Sequence, residues 1–158
     1  MAYYDSIAPS YDSLHKEEQI RKLAIIRENL LIQKRDKLLD VGCGTGFSLQ
    51  FFKCNCIGIE PSQEMAQQNK NLDKIIIGCA ESLPFPDDFF DLVISITAIH
   101  NFADIEKGLR EMKRVGKDRF AFSVLKKSRQ LKRIKRLIQE IYPIKKTIDE
   151  KHDLIFLT

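Results

Sequence analysis

Asp40 stands just ahead of three alternating glycines, Gly42-x-Gly44-x-Gly46, and twenty residues after it a second carboxylate, Glu60, closes another short apolar run. Alternating glycines let the backbone take positive φ and let a ligand lie against the main chain, where any Cβ would collide. The spacing narrows the chemistry. A dinucleotide loop needs G-x-G-x-x-G, but position 47 is Phe, so NAD and FAD are disfavoured. A phosphate-cradling P-loop needs G-x-x-x-x-G-K-[ST], and no Lys follows Gly46, so nucleotide triphosphates lose their main cation.

The elements that must position these residues are a buried strand over Leu38–Val41, a helix beginning near Gly46, and a second strand over Cys56–Glu60. The helix draws apolar surface from Phe47, Leu49, Phe51 and Phe52. Glycine loop and Glu60 then sit at the carboxyl ends of neighbouring parallel strands, where open α/β sheets bind ligands. Pro61-Ser62 opens a helix carrying Met65. Lys74 to Pro86 reads as a third strand, a turn through Cys79-Ala80-Glu81 and a proline-bounded loop. Phe89 to Ile96 is a fourth strand, apolar enough to be buried on both faces. Asp104 caps a helix through Ile105, Leu109, Met112 and Val115, and Arg119–Leu125 is a fifth strand. An amphipathic helix from His15 to Leu31 precedes the first strand. Ile144–Asp149 and Leu154–Leu157 form a closing hairpin across residues 150–153.

These motifs, in this order, resemble class I S-adenosylmethionine-dependent methyltransferases of the type-11-like methyltransferase domain. Asp40-x-Gly42-x-Gly44-x-Gly46 is similar to the family's first motif. Gly78-Cys79-Ala80-Glu81-x-Leu83-Pro84-Phe85 with Phe90-Asp91-x-Val93 resembles its "G-D-A-E-x-L-P-F … F-D-x-V" run, and Tyr3 to Asp12 resembles its "Y-D-x-x-A-x-x-Y-D" leader. The resemblance covers residues 3–125 strongly and the remainder loosely. It implies a doubly wound, mostly parallel seven-stranded α/β sheet of Rossmann-like type, with the last strand antiparallel.

The resemblance also implies roles. Asp40 and the loop Gly42, Cys43, Gly44 and Gly46 would hold the methionyl end of S-adenosylmethionine, Asp40 through the ammonium or a water. Glu60, followed by Pro61, would accept the ribose hydroxyls. Ala80 and Glu81 would frame the adenine with Met65, which ordinary core packing explains equally well. The family's adenine-binding Asp is Cys79 here, so that contact comes from a backbone carbonyl, from Glu81, or is absent. Tyr11 would help the leader shut out water, unless the leader is a frayed terminus. Thr97 to Phe102 falls where the family surrounds the reactive methyl. There His100 is a candidate general base, or a residue that shapes the pocket or meets the cofactor's amino-acid end. The Asn-Pro-Pro-Tyr motif of amino-directed nucleic-acid methyltransferases is missing.

The 158 residues suffice for one domain: leader and helix over 1–33, cofactor-binding core over 34–125, basic helix and hairpin over 126–158. No segment approaches ~20 uninterrupted apolar residues and no secretory leader is visible, so the expectation is a cytoplasmic protein with no membrane partner. Cys43, Cys54, Cys56 and Cys79 lack metal-ligand spacing and read as free thiols, so no metal is expected. The net charge of +4 hides an asymmetry: residues 107–146 hold 15 Lys and Arg against 3 Asp and Glu. Basic residues concentrate on an amphipathic helix over Ser128–Ile141, with Leu131, Ile134, Leu137 or Ile138, and Ile141 at helical spacing. Its cations crowd the first turns, where the helix dipole disfavours them. A solvated face, an RNA, a phosphorylated or acidic small molecule, or an acidic partner protein would each account for it. The expected activity is methyl transfer to a small-molecule or RNA acceptor, with a protein partner or homo-oligomer open. The alternative is a non-catalytic S-adenosylmethionine-binding or scaffold subunit that holds RNA or a partner through the basic helix.

Overall fold

The computed structural model describes residues 2–69 and 72–158, the side chains of residues 2–15 and 72 excepted. Seven strands form one sheet: β1 (Lys37–Val41), β2 (Asn55–Glu60), β3 (Ile75–Ile77), β4 (Phe90–Ile96), β5 (Gly116–Leu125), β6 (Lys146–Asp149) and β7 (Asp153–Leu157). Their order across the sheet is β3-β2-β1-β4-β5-β7-β6. The first five run parallel, and β7 lies antiparallel between β5 and β6. This is the doubly wound α/β fold expected, with the closing hairpin returning its last strand inside β6. The chain winds outward from β1 through β2 to β3, then crosses back to β4. Between β1 and β4 the winding changes direction, which opens a crevice at the strands' carboxyl ends.

Five helices cover the two faces: α1 (Ala2–Asn29), α2 (Phe47–Phe51), α3 (Gln63–Ala66), α4 (Ile105–Val115) and α5 (Leu131–Ile141). The strands' twofold alternation sorts their side chains between the layers. Leu39, Val41, Val93, Phe120 and Phe122 pack with Leu109 and Met112 of α4 and Ile134 and Ile138 of α5. Leu38, Leu92, Ile94 and Ala121 pack with Leu23 and Ile26 of α1, Leu49 of α2 and Ala66 of α3. Buried β-branched and aromatic side chains on both faces are why β1 and β4 read as continuous apolar runs.

Several boundaries differ from the sequence reading. The leader is not a separate segment, because α1 is helical from Ala2 onward. Strand β5 begins at Gly116, directly after α4, and a shift in its register against β4 between Phe90 and Leu92 absorbs the extra residues. Helix α5 starts three residues later than expected, since the Ser128 hydroxyl accepts the Gln130 N–H at 3.1 Å and holds that stretch as a turn. Among the described residues no helix is long and apolar enough to cross a membrane.

Candidate active site

The glycine loop leaves β1 and is fastened to β2 at once: the Gly42 and Cys43 N–H groups both donate to the Ile59 carbonyl, at 2.8 and 3.0 Å. Gly42, Gly44 and Gly46 all have positive φ, at 77°, 57° and 76°. Two of the three also answer to packing. A Cβ on Gly42 would lie 2.5 Å from the Ala98 Cβ. One on Gly46 would lie 2.1 Å from the Asn69 Nδ2, the amide that donates to the Thr45 carbonyl at 2.9 Å. Gly42 and Gly44 face the pocket, whereas Gly46 stays behind it and lets α3's exit close on the loop.

Glu60, at the end of β2, is 7% exposed. One carboxylate oxygen accepts the Gly44 N–H at 2.7 Å and the other accepts the Ser62 N–H at 2.8 Å. The two amides hold the carboxylate rigidly at the pocket wall, where it is an acceptor of hydrogen bonds. Behind the loop, Asp40 is 2% exposed; the Ser48 hydroxyl donates to one of its oxygens, and the other has no hydrogen-bond partner among the described residues. Burial pushes its carboxyl up to about 7; the Ser48 hydrogen bond opposes this and the Glu60 charge adds to it. An orphaned carboxylate oxygen beneath a glycine loop suits an ammonium, directly or through a water.

Gly42, Gly44, Glu60 and Pro61 form one wall of the pocket, and Met65, Ala80, Glu81 and Thr97 also line it. Met65 is 1% exposed, so it belongs to the core as well. Asp40, Cys43, Gly46 and His100 do not line it. The Cys43 thiol turns onto β2, where a Cβ on Gly58 would come within 2.4 Å of its Sγ, and burial raises its pKa. His100 sits on a 3₁₀ turn, Ile99–Asn101, beside the pocket. Its Nε2 is 3.2 Å from the Asn101 Nδ2 and its Nδ1 is buried without a partner among the described residues. Burial lowers the imidazole pKa, against a pull upward from Asp153 and with a further push down from Lys22. His100 thus stands next to Asn101, which lines the pocket, without lining it itself. The Tyr11 side chain lies outside the described residues.

Around residues that the sequence reading named, it missed four that brace this pocket: Arg114, Glu111, Lys22 and Asp153. Cys79 is exposed on its rim where the family carries the adenine Asp, and Glu81 spends one oxygen on the Asp104 N–H, 3.0 Å away. Arg114 of α4 clamps the following loop, donating to the carbonyls of Leu83 (3.0 Å) and Phe85 (2.8 Å), while Glu111 accepts the Leu83 N–H at 2.9 Å. On the opposite side, Thr97 holds a left-handed φ of 53°. Its hydroxyl accepts from the Lys22 ammonium at 2.7 Å and donates to Asp153 at 2.7 Å. Lys22 is 1% exposed and Asp153 wholly buried. The second Asp153 oxygen is an ion-pair contact 3.2 Å from the ammonium, without hydrogen-bond alignment. Only a cross-chain register, α1 against β7, brings these groups together. No local pattern signals it.

Residues 39–124, more than half of the chain, match the family described as a methyltransferase domain. The chain belongs to that family. Its motifs place it in the S-adenosylmethionine-dependent class I group, whose cofactor the loop, Glu60 and Asp40 fit. An uncharacterised protein of Methanocaldococcus jannaschii is 40% identical over 73% of this chain and 47% of its own length. The crystal structure of YcgJ from Bacillus subtilis is 31% identical, with a TM-score of 0.62, over 66% of this chain and 50% of that one. A SAM-dependent methyltransferase from Aquifex aeolicus shares the fold at 19% identity, with a TM-score of 0.79 over 97% of this chain and 96% of its own. The chain thus spans less than half the length of the M. jannaschii relative.

Proposed function

We propose that this methyltransferase-family chain is an active enzyme that moves the methyl of S-adenosylmethionine to a small-molecule or RNA acceptor by in-line displacement. The observation that carries the reading is the Glu60 carboxylate, fixed by the Gly44 and Ser62 amides at the end of β2 and facing the pocket. The cofactor's sulfonium supplies an electrophilic methyl group, which leaves the protein to orient the reactants and exclude water. Glu60 accepts the ribose hydroxyls, and Asp40 meets the ammonium behind the glycine loop. Met65 and Ala80 offer apolar contact to the adenine. Thr97, Asn101, Phe102 and Ala103 border the side from which an acceptor approaches.

A thermal-shift titration with S-adenosylmethionine, S-adenosylhomocysteine, NAD and ATP tests the binding. A ligand that binds only the folded state raises its stability by about 2.7 kcal/mol at a hundredfold excess over Kd. The two adenosyl ligands are expected to raise the melting temperature and the other two to leave it unchanged. Stabilisation by NAD and not by the adenosyl ligands would overturn the reading.

A further inference from the structure

The rim of the pocket carries two signs of charge. On the cofactor side stand the Glu60 and Glu81 carboxylates, both in the lining. The opposite side begins where β5 ends, at Leu125, and continues through residues 126–130 into the first turn of α5. Because that turn follows the carboxyl end of β5, it lies at the same end of the sheet as the pocket. Helix α5 also packs on the 3₁₀ turn whose Asn101 lines the pocket.

Ion pairing changes along this part of the chain. Arg110, Arg114, Lys117, Arg119 and Lys126 each have a carboxylate partner, on Glu106, Glu111, Asp91, Asp36 and Asp149. From position 127 to 135 the pattern stops: Lys127, Arg129, Lys132, Arg133 and Lys135 are exposed and have no ion-pair partner among the described residues. Gln130 caps α5 without a side-chain hydrogen bond, and no acidic residue stands in the first turn. Cations there face the positive end of the helix dipole. Lys113 lies over the Phe120 and Tyr142 rings, and residues 127–135 gather five exposed cations without an ion-pair partner among the described residues on one loop and helix start, an anion-facing surface at the pocket's end of the sheet. One phosphate is satisfied by two or three donors; five cations spread over a loop and the first two turns of α5, a helix ~16 Å long, fit a polyanion.

We propose that the acceptor is single-stranded RNA, its backbone tracked by Lys127, Arg129, Lys132, Arg133 and Lys135 while one unpaired base enters past Asn101. Single-strandedness follows from the pocket, which is recessed at the strand ends and reachable only by a base out of its stack. The inference rests on the methyl-transfer reading and is tested apart from it.

Fluorescence anisotropy with a labelled, mixed-sequence RNA 20-mer reads the binding. For five phosphate contacts, affinity should fall roughly 100-fold between about 50 and 200 mM salt, from a slope near −0.7 per contact. Reversing Lys127, Arg129, Lys132 and Arg133 to Glu should weaken binding at least tenfold at the lower salt and flatten the slope. These changes favour the helix dipole, so the melting temperature should hold or rise and lost binding would not reflect unfolding. Reversing Lys34, Arg35, Lys53 and Lys74, at the amino end of the sheet, is the charge-matched control and should leave binding within twofold. S-adenosylhomocysteine should stabilise wild type and both variants equally, which keeps the cofactor reading separate. No RNA binding by wild type, equal loss in the control, preference for the same RNA as a duplex, or binding to polyglutamate in place of RNA would each overturn the proposal.

Discussion

Glu60 and Asp40 are both buried carboxylates, yet their surroundings assign them different work. Two backbone amides hold Glu60 at the pocket wall, so Glu60→Ala removes hydrogen bonds from a charged acceptor and also releases the glycine loop. Affinity for S-adenosylhomocysteine should fall by ~1.5–3 kcal/mol, measured by calorimetry; wild-type affinity in the variant would remove Glu60 from the ribose site. Asp40 has one hydroxyl donor and no backbone amide, and burial pushes it up to about 7 from 3.8. Between those values the unfolded chain is ionised while the folded chain keeps its proton. Stability is therefore lost as pH rises through this window and levels off above it. Asp40→Asn abolishes that dependence, so the variant's stability relative to wild type should grow by about 2 kcal/mol between roughly pH 5 and pH 7. Urea melts at the two pH values check it, and a constant difference would mean that Asp40 is not titrating in the fold.

The elements of this fold are tied together by polar contacts as much as by packing. Helix α1 reaches the closing hairpin through Lys22 and Asp153, and through Arg21 and Glu150 at 3.1 Å. Removing one partner of a buried pair strands the other, at a cost of about 3–5 kcal/mol. Lys22→Met should show that loss in denaturant midpoint, since Asp153 is wholly buried. Lys22→Met combined with Asp153→Leu should recover at least half of it. Failure of the double variant to recover would mean that the pair acts through Thr97's left-handed backbone and not through uncompensated charge. On the other face, α4 both packs the core through Leu109 and Met112 and, through the Arg114 clamp, pins the loop that runs from the adenine side.

At the scale of the whole molecule, β7 closes the sheet. It lies between β5 and β6, with Ile155, Phe156 and Leu157 buried and Phe156 packed in the same layer as Phe120 and Phe122. A chain ending at Tyr142 would leave β5 as a long apolar edge and Lys22 without Asp153. That truncation should lose cooperative thermal unfolding and near-ultraviolet circular dichroism, while far-ultraviolet signal persists in part. A sharp transition near the full chain's melting temperature would show that residues 1–142 carry the fold alone.

What the sequence determined by itself was local: strands from apolar runs, the glycine turn from residues that alone tolerate positive φ, the Asp104 cap, and Glu60's place from the spacing between two adjacent parallel strands. These depend on near neighbours and on a period, so one chain's residues suffice to read them. Tertiary structure decided which of the motif's residues face the pocket. Gly46 and Cys43 belong to the motif but answer to Asn69 and Gly58, and His100 is a half-buried residue within electrostatic reach of Asp153 and Lys22. The Lys22, Thr97 and Asp153 cluster joins residues up to 131 positions apart, and its partners meet only when α1 docks on β7. Long-range polar pairing leaves no periodic trace in a chain, because it depends on register between elements and not on the order of residues within one.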